Sequence, residues 1–377
     1  MRIAVNTRLL LKGKMDGIGW FTAETLQRIV QSHPEHEFFF FFDRKPDPCF
    51  LYNTNVTPIV LHPQARHPVL WYLFFQGSVR RALKRYKIDL FLSPDGYTVL
   101  GTKVPTLTVI HDINFEHGKT NLKPSHQKYM TYFSPQFARY STRLATVSEF
   151  SKQDIMNTYH IDGEKIDVVY DGAHTGYRPL DADTQTAIRL RYTQGCPYVI
   201  FISTILKRKN LATLLTAFDK FKMHDTSAMK LLVVGHRVWW QDELAKAYDE
   251  MQHKDDVVFV GRADADELTR LMGSASMLVY PSLFEGFGIP IVEAFRAEVP
   301  VITSNCTSMP EVAGDAAVLV EPTDADAMAE AISRVASEEQ LRSDLVEKGR
   351  KRRELFTWDI TAEKLWQSMM KTAGKNC

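Results

Sequence analysis

Short apolar runs of strand length alternate with longer stretches whose apolar residues recur every three or four positions, and this alternation persists across most of the 377 residues. In the first half the strand-like runs fall at 2–5, 37–42, 58–61, 90–93, 106–110, 144–147 and 166–169, with helical spacing at 21–31 and in a segment ending at Arg85. Between Tyr170 and Pro179 the pattern lapses into Gly, Asp and Thr, as a linker would. It then resumes, with strands expected at 198–202, 230–234, 257–260, 277–280, 299–302 and 317–320, and helices at 211–222, 243–251, 266–271 and 290–296. Nearly continuous apolar strands separated by helices predict parallel sheets covered on both faces. Two such series in succession predict an α/β chain of two Rossmann-like domains facing a cleft, at 1–175 and 176–355. Three further helical patterns occupy 326–335, 338–353 and 361–371. In the last segment, 356–377, Trp358, Leu365 and Trp366 form an apolar face expected to cross back onto the first domain.

Composition narrows the class. Hydrophobic residues make up 45% and charged residues 24%, with a formal net charge of +1, so nothing announces nucleic acid or an acidic partner. The cysteines Cys49, Cys196, Cys306 and Cys377 show no metal or redox spacing, which suits a reducing, cytoplasmic setting. Residues 1–6 turn polar too early for a signal peptide or a membrane span. Residues 69–75, Val-Leu-Trp-Tyr-Leu-Phe-Phe, are followed by Arg80, Arg81, Lys84 and Arg85. They admit two readings, a peripheral contact with an anionic membrane face or a helix packing its aromatics on its own domain.

Candidate chemistry concentrates after the run 277–280, where Phe284-Glu285-Gly286-Phe287-Gly288-Ile289-Pro290 leads into a helical pattern. Gly286 and Gly288 permit close backbone approach or positive φ, and Pro290 suits a first helical turn. That helix start would aim its N–H groups and positive dipole end beyond the carboxyl edge of the sheet, where an anion is favoured. Glu285 and Glu293 frame it. Beside a phosphate they would suit sugar hydroxyls, while a loop acid and a helix-dipole acid account for them equally. Lys207-Arg208-Lys209, after the run 198–202, offers cations to a diphosphate, the other reading being a solvated basic loop.

Weaker signals lie elsewhere. Gly17 and Gly19, after the first strand, serve either close approach to a ligand or a tight turn. His111, closing the run 106–110, either donates to a substrate hydroxyl or packs a loop. Ser308 either caps a helix or belongs to a loop whose amides face phosphates. Asp264-Ala265-Asp266 and Asp324-Ala325-Asp326 have the form of a nucleotide-sugar metal motif but precede helical patterns, as caps do, and no metal is expected. The chain has no G-x-x-x-x-G-K-[ST] loop, which argues against a P-loop nucleotidase.

Glu285 and Glu293 in E-x7-E spacing resemble the retaining GT-B glycosyltransferases of family four, the glycosyl transferases group 1. So do Lys207-Arg208-Lys209-Asn210, Met309-Pro310-Glu311-Val312-Ala313-Gly314, Val109-Ile110-His111-Asp112, Thr146-Val147-Ser148-Glu149-Phe150 and Phe356-Thr357-Trp358. The resemblance implies transfer of a hexose from GDP-mannose or a UDP-hexose to a glycan or lipid-linked acceptor in polysaccharide assembly, with no cofactor beyond the donor. By the same resemblance Lys209 and Arg208 hold the diphosphate, Glu293 the ribose, and Glu285 with the backbone of Gly286, Phe287, Gly288 and Ile289 the transferred sugar. Thr204, Arg262 and Ser308 join the donor side, Arg262 near the base. His111, Gly17 and Gly19 face the donor from the acceptor-binding first domain. The chain departs from the family at Ser203-Thr204, where many members have glycine and arginine, which makes Arg208 the cation expected there. It departs again at Tyr170-Asp171-Gly172, where proline and asparagine usually precede the glycine. A sugar-nucleotide epimerase of the same fold and a non-catalytic nucleotide-sugar binding protein are the rival readings; the first would need acid and base groups at the sugar ring.

Overall fold

A computed structural model of the chain describes residues 1–118, 122–224, 227–236, 240 and 242–375, so Cys377 lies outside the described residues. Seven strands form one sheet: β1 (Arg2–Asn6), β2 (Glu37–Phe42), β3 (Val56–Val60), β4 (Leu90–Ser93), β5 (Thr106–Val109), β6 (Arg143–Thr146) and β7 (Ile166–Val168), ordered β3-β2-β1-β4-β5-β6-β7. Six more form a second: β8 (Tyr198–Ile202), β9 (Lys230–Val234), β10 (Val257–Gly261), β11 (Met277–Tyr280), β12 (Val301–Ser304) and β13 (Ala317–Val320), ordered β10-β9-β8-β11-β12-β13. Every pairing is parallel. The apolar runs explain this, since a strand such as Phe38 to Phe42, buried at every position, must be covered on both faces.

Both sheets are therefore doubly wound α/β units, the Rossmann-like pair that the alternation predicts. Local differences have physical causes. β12 begins two residues later than its apolar run because the Val299 N–H still closes the preceding helix on Ala294 (2.9 Å). The helix Pro124–Tyr140 carries Pro135 inside it, and the helix Ala182–Thr193 buries only Ile188 and Thr193, so neither shows a clear helical pattern in the sequence.

One compact unit comprises Met1–Gly118, Leu122–Gly172 and the C-terminal segment from Trp358, and the other comprises Ala173–Thr357. The chain leaves the first unit after Gly172, where a Cβ would lie 2.5 Å from the backbone nitrogen of Trp358. The C-terminal helix Trp358–Thr372 belongs to the first unit. Trp366 stacks on His33 (3.7 Å between ring centroids), the Thr361 hydroxyl donates to the Tyr170 carbonyl (2.8 Å), and Ser368 donates to Asp167 (2.7 Å). No helix among the described residues is long and apolar enough to cross a membrane.

Strand order fixes where a ligand crevice can open. In each sheet the connections reverse direction beside the first strand of the series, between β1 and β4 and between β8 and β11, and the crevice lies outside the carboxyl ends there. In the second unit the loops after β8 and β11, which carry Lys207 to Lys209 and Glu285, leave the sheet at that point.

Candidate active site

The loop after β8 carries Arg208 and Lys209 in a short helical turn, Lys207–Lys209, and ends on Asn210 in the left-handed region (φ 60°). Asparagine tolerates that conformation, and its side chain ties the loop down by donating to the carbonyls of Pro281 (3.0 Å) and Pro322 (2.6 Å). The loop after β11 is thereby held against it, and the Leu283 N–H donates to the Arg208 carbonyl (2.8 Å).

Glu285 is the centre of the resulting network. Its Oε1 accepts from Lys209 Nζ (2.5 Å), the Ser282 hydroxyl (2.6 Å) and the Tyr280 hydroxyl (2.9 Å), while Oε2 accepts from Arg208 (3.0 Å). Lys209 also donates to the Tyr280 hydroxyl (2.8 Å), and Arg208 to the Phe284 carbonyl (2.9 Å). Burial by itself would raise the Glu285 pKa, but the Lys209 ammonium and the Arg208 guanidinium outweigh it and bring the carboxyl down to about 2. Glu285 is thus an anion at any physiological pH. Burial, with the Glu285 charge beside it, pushes the Tyr280 hydroxyl well above its ordinary range and keeps it a donor. Three donors crowd Oε1, while Oε2, with about two acceptor positions of its own, takes one of them up with Arg208.

Gly286, Phe287 and Gly288 lead from this network into the helix Ile289–Ala297. Gly288 has φ of 108°, which an L side chain rarely adopts, and it offers no side chain to cap the helix. The ring of Phe287 is buried edge-on to Phe356 (5.4 Å), so this residue can face the crevice only through its backbone. Ser308 is fully buried and its hydroxyl donates to the carbonyls of Glu285 (3.0 Å) and Phe287 (2.8 Å); it makes no side-chain cap to the helix that follows it. Its side chain shapes the glycine loop. One turn into the helix, burial raises Glu293 to about 7 against the lowering influence of its hydrogen bond with the Tyr177 hydroxyl. Thr204, after β8, and Arg262, after β10, are both exposed at the same carboxyl edge.

The structure therefore brings Arg208, Lys209 and Glu285 into direct contact and sets Gly286, Gly288, Ile289 and Glu293 on the adjoining loop and helix. Both cations pair with Glu285 at the carboxyl edge of the second sheet, and the glycine loop beyond them leads into a helix start that no side chain caps. The sequence gives no sign of the parts played by Tyr280, Ser282 and Tyr177, whose hydroxyls sit in a strand and loops without any spacing to mark them, and it shows Asn210 only as the end of the stretch 207–210.

The remaining candidates lie in the first unit. His111 donates through Nε2 to the Pro94 carbonyl (3.0 Å), since a carbonyl only accepts, and its ring meets Phe21 edge-on (4.9 Å). Burial lowers its pKa despite that hydrogen bond and the nearby Asp112, so the ring is neutral near pH 7 with a lone pair left on Nδ1. Gly17 opens the helix Gly17–Ser32 and is exposed. Gly19 is buried, its N–H donates to the capping Asp16 carboxylate (3.0 Å), and a Cβ there would meet the Met15 Cβ at 3.0 Å and the Leu9 carbonyl at 3.2 Å. The glycine at 19 is accounted for by this packing. A buried ion pair, Arg8 to Asp95 (2.6 Å), lies at the β1/β4 reversal and has no signature in the sequence. The two Asp-Ala-Asp motifs are helix caps: Asp264 accepts from the Glu267 N–H (2.9 Å), and Asp324 from those of Asp326 (3.0 Å) and Ala327 (2.9 Å).

Family comparison agrees with this architecture. The glycosyl transferases group 1 model matches residues 189–352, and the glycosyltransferase family 4 model matches residues 15–177. The chain belongs to this family and is a glycosyltransferase of the GT-B fold. It is 28% identical over 281 residues to O-antigen chain mannosyltransferase B of Escherichia coli, covering 74% of this chain and 73% of that one. It is 26% identical over 269 residues to O-antigen chain mannosyltransferase RfbU of Salmonella typhimurium, covering 71% of each. The solved structure of Anabaena HepE in complex with UDP-glucose shares the fold with a TM-score of 0.74 at 15% identity, over 98% of this chain and 100% of that one.

Proposed function

We propose that the protein transfers a hexosyl group, with mannose the first candidate, from a nucleoside-diphosphate sugar to a glycan or lipid-linked acceptor in polysaccharide assembly. The observation that carries the reading is the Arg208–Lys209–Glu285 network at the β8/β11 reversal. Two relatives named as O-antigen mannosyltransferases support the sugar and the pathway class.

Arg208 and Lys209 hold the donor diphosphate and stabilise the charge that grows on it as the sugar departs. Glu285, ionised and anchored through Oε1, accepts from a sugar hydroxyl at Oε2, and the Gly286 to Gly288 backbone lines the same sugar. Glu293, positioned by Tyr177, accepts from the ribose hydroxyls. Thr204 and Arg262 lie toward the nucleoside, while Ser308 fixes the glycine loop. The first unit, with His111 and the Gly17 to Gly19 turn, is assigned to the acceptor side. Transfer proceeds with retention: the bond from the anomeric carbon to the phosphate oxygen breaks, the bond to the acceptor oxygen forms on the same face, and the acceptor proton passes to the leaving phosphate. No carboxylate base is required.

Incubation with GDP-mannose and UDP-hexoses, each with and without a glycan acceptor, tests the reading. A new glycoside with the anomeric configuration of the donor, formed only with acceptor, is expected. Epimerised donor without acceptor, or an inverted product, would overturn it.

A further inference from the structure

Between the carboxyl ends of β1 and β4, four residues of the first unit close a ring of hydrogen bonds around the loop that His111 touches. The Asn6 amide donates to the Ser93 hydroxyl (3.1 Å), which donates to Asp95 Oδ1 (3.3 Å). Asp95 Oδ2 accepts from Arg8 Nε (2.6 Å), and the Arg8 backbone N–H returns to the Asn6 side-chain oxygen (3.4 Å). Arg8 is pinned further by the Tyr97 ring, 4.7 Å from its guanidinium carbon, and by donating to the Ala65 carbonyl (3.5 Å). Asn6, Ser93 and Asp95 are buried. Pro94 stands between two members of the ring, its own pyrrolidine fixes its φ, and the Tyr97 N–H closes the turn beyond it on Asp95 Oδ1 (3.4 Å). The Pro94 carbonyl, on which His111 Nε2 rests at 3.0 Å, is therefore held from both sides.

A proton on Nδ1 in place of Nε2 would leave two sets of lone pairs facing each other across 3.0 Å. Arg8 guards the Nε2–H tautomer in a second way. The Asp95 charge acts on the His111 ring, and without the guanidinium beside it that charge would favour a second proton there. Among the described residues nothing hydrogen-bonds Nδ1. We propose that Arg8 and Asp95 are positioning residues for His111: the ring they complete holds the Pro94 carbonyl against Nε2, and Nδ1 thereby accepts from a substrate hydroxyl instead of donating to it. That hydroxyl is one other than the attacking group, whose proton goes to the leaving phosphate.

The tautomer is independent of the proposed transfer, and only its kinetic consequence rests on that reading. Long-range proton–nitrogen NMR correlation of the full chain, made with isotope-labelled histidine, reads both ring nitrogens of His111, assigned by the signals lost in His111→Gln. In wild type at neutral pH, Nε2 should appear protonated and Nδ1 unprotonated. Asp95→Asn removes the ion pair, and Ser93→Ala opens the ring without leaving a charge unpaired. Each should move both shifts toward the averaged values of a tautomer mixture while circular dichroism stays that of wild type. In transfer assays both variants should lose about twofold to tenfold in kcat/KM, the worth of one neutral hydrogen bond, with affinity for the bare nucleoside diphosphate unchanged. Protonated Nδ1 in wild type, or an unmoved pattern in both folded variants, would overturn the proposal. Shifted tautomers with kcat/KM unchanged would overturn it equally. The expected shifts in a chain that transfers no sugar would support the positioning and count against the proposed transfer instead.

Discussion

Replacing Glu285 by glutamine removes one charge while keeping the shape of the side chain, and the structure fixes how the effect must vary with pH. The Glu285 carboxyl titrates at about 2 in the folded protein against an ordinary 4.5, because burial is outweighed by Lys209 and Arg208. A depressed folded pKa contributes stability above the unfolded value, and that stability is lost as pH falls through 4.5 toward 2. The shift corresponds to about 3 kcal/mol at neutral pH. At pH 4 the unfolded carboxyl is already mostly protonated, so about 1 kcal/mol of this has gone, and about 2 kcal/mol by pH 3. The stability gap between wild type and Glu285→Gln should therefore narrow over that range. Urea denaturation at pH 7, 5 and 4, followed by near-UV circular dichroism, reads the gap directly. A constant gap, or one that widens on acidification, would refute the claim that the two cations hold Glu285 ionised.

Glu293 and Asp171 predict the opposite sign. Burial raises Glu293 to about 7, so it contributes stability that is lost as pH rises from about 4.5 through 7. Glu293→Gln should flatten that decline in denaturation curves and weaken nucleotide binding, and an unaltered pH profile would contradict the reading. Asp171 is buried with one carboxylate oxygen lacking a partner, and burial pushes it up to about 8. Asp171→Asn should gain on wild type by up to about 1.4 kcal/mol per pH unit between pH 5 and 8, and a gap independent of pH would show that the carboxyl is already ionised. Gly172→Ala drives a Cβ into the backbone and indole of Trp358 and should cost about 1–3 kcal/mol in denaturation, whereas a neutral outcome would mean that this junction yields.

The fold was largely legible because apolar strand periodicity survives wherever a sheet is covered on both faces; all thirteen strands lie at or within two residues of apolar runs. Helices were legible only where one face is buried. Pro124–Tyr140, interrupted by Pro135, and the mostly exposed Ala182–Thr193 carry too little of that pattern. At the site, charges announced themselves: Arg208, Lys209, Glu285 and Glu293 stand out beside glycines. Their partners did not, because Tyr280 reads as one more apolar strand residue and Ser282 as one more loop hydroxyl until the fold puts both on Glu285. The direction in which a side chain points was equally hidden, as Phe287 shows by packing on Phe356 and Ser308 by bonding the glycine loop from beneath.

The central claim is that Arg208 and Lys209 form the diphosphate site, and calorimetric titration of GDP and UDP into wild type and Lys209→Met tests it most directly. A charge-assisted hydrogen bond contributes about 1.5–3 kcal/mol, so the variant should bind about tenfold to a hundredfold more weakly while remaining folded by circular dichroism. Equal affinity for the same nucleotide in a folded Lys209→Met protein would contradict the account.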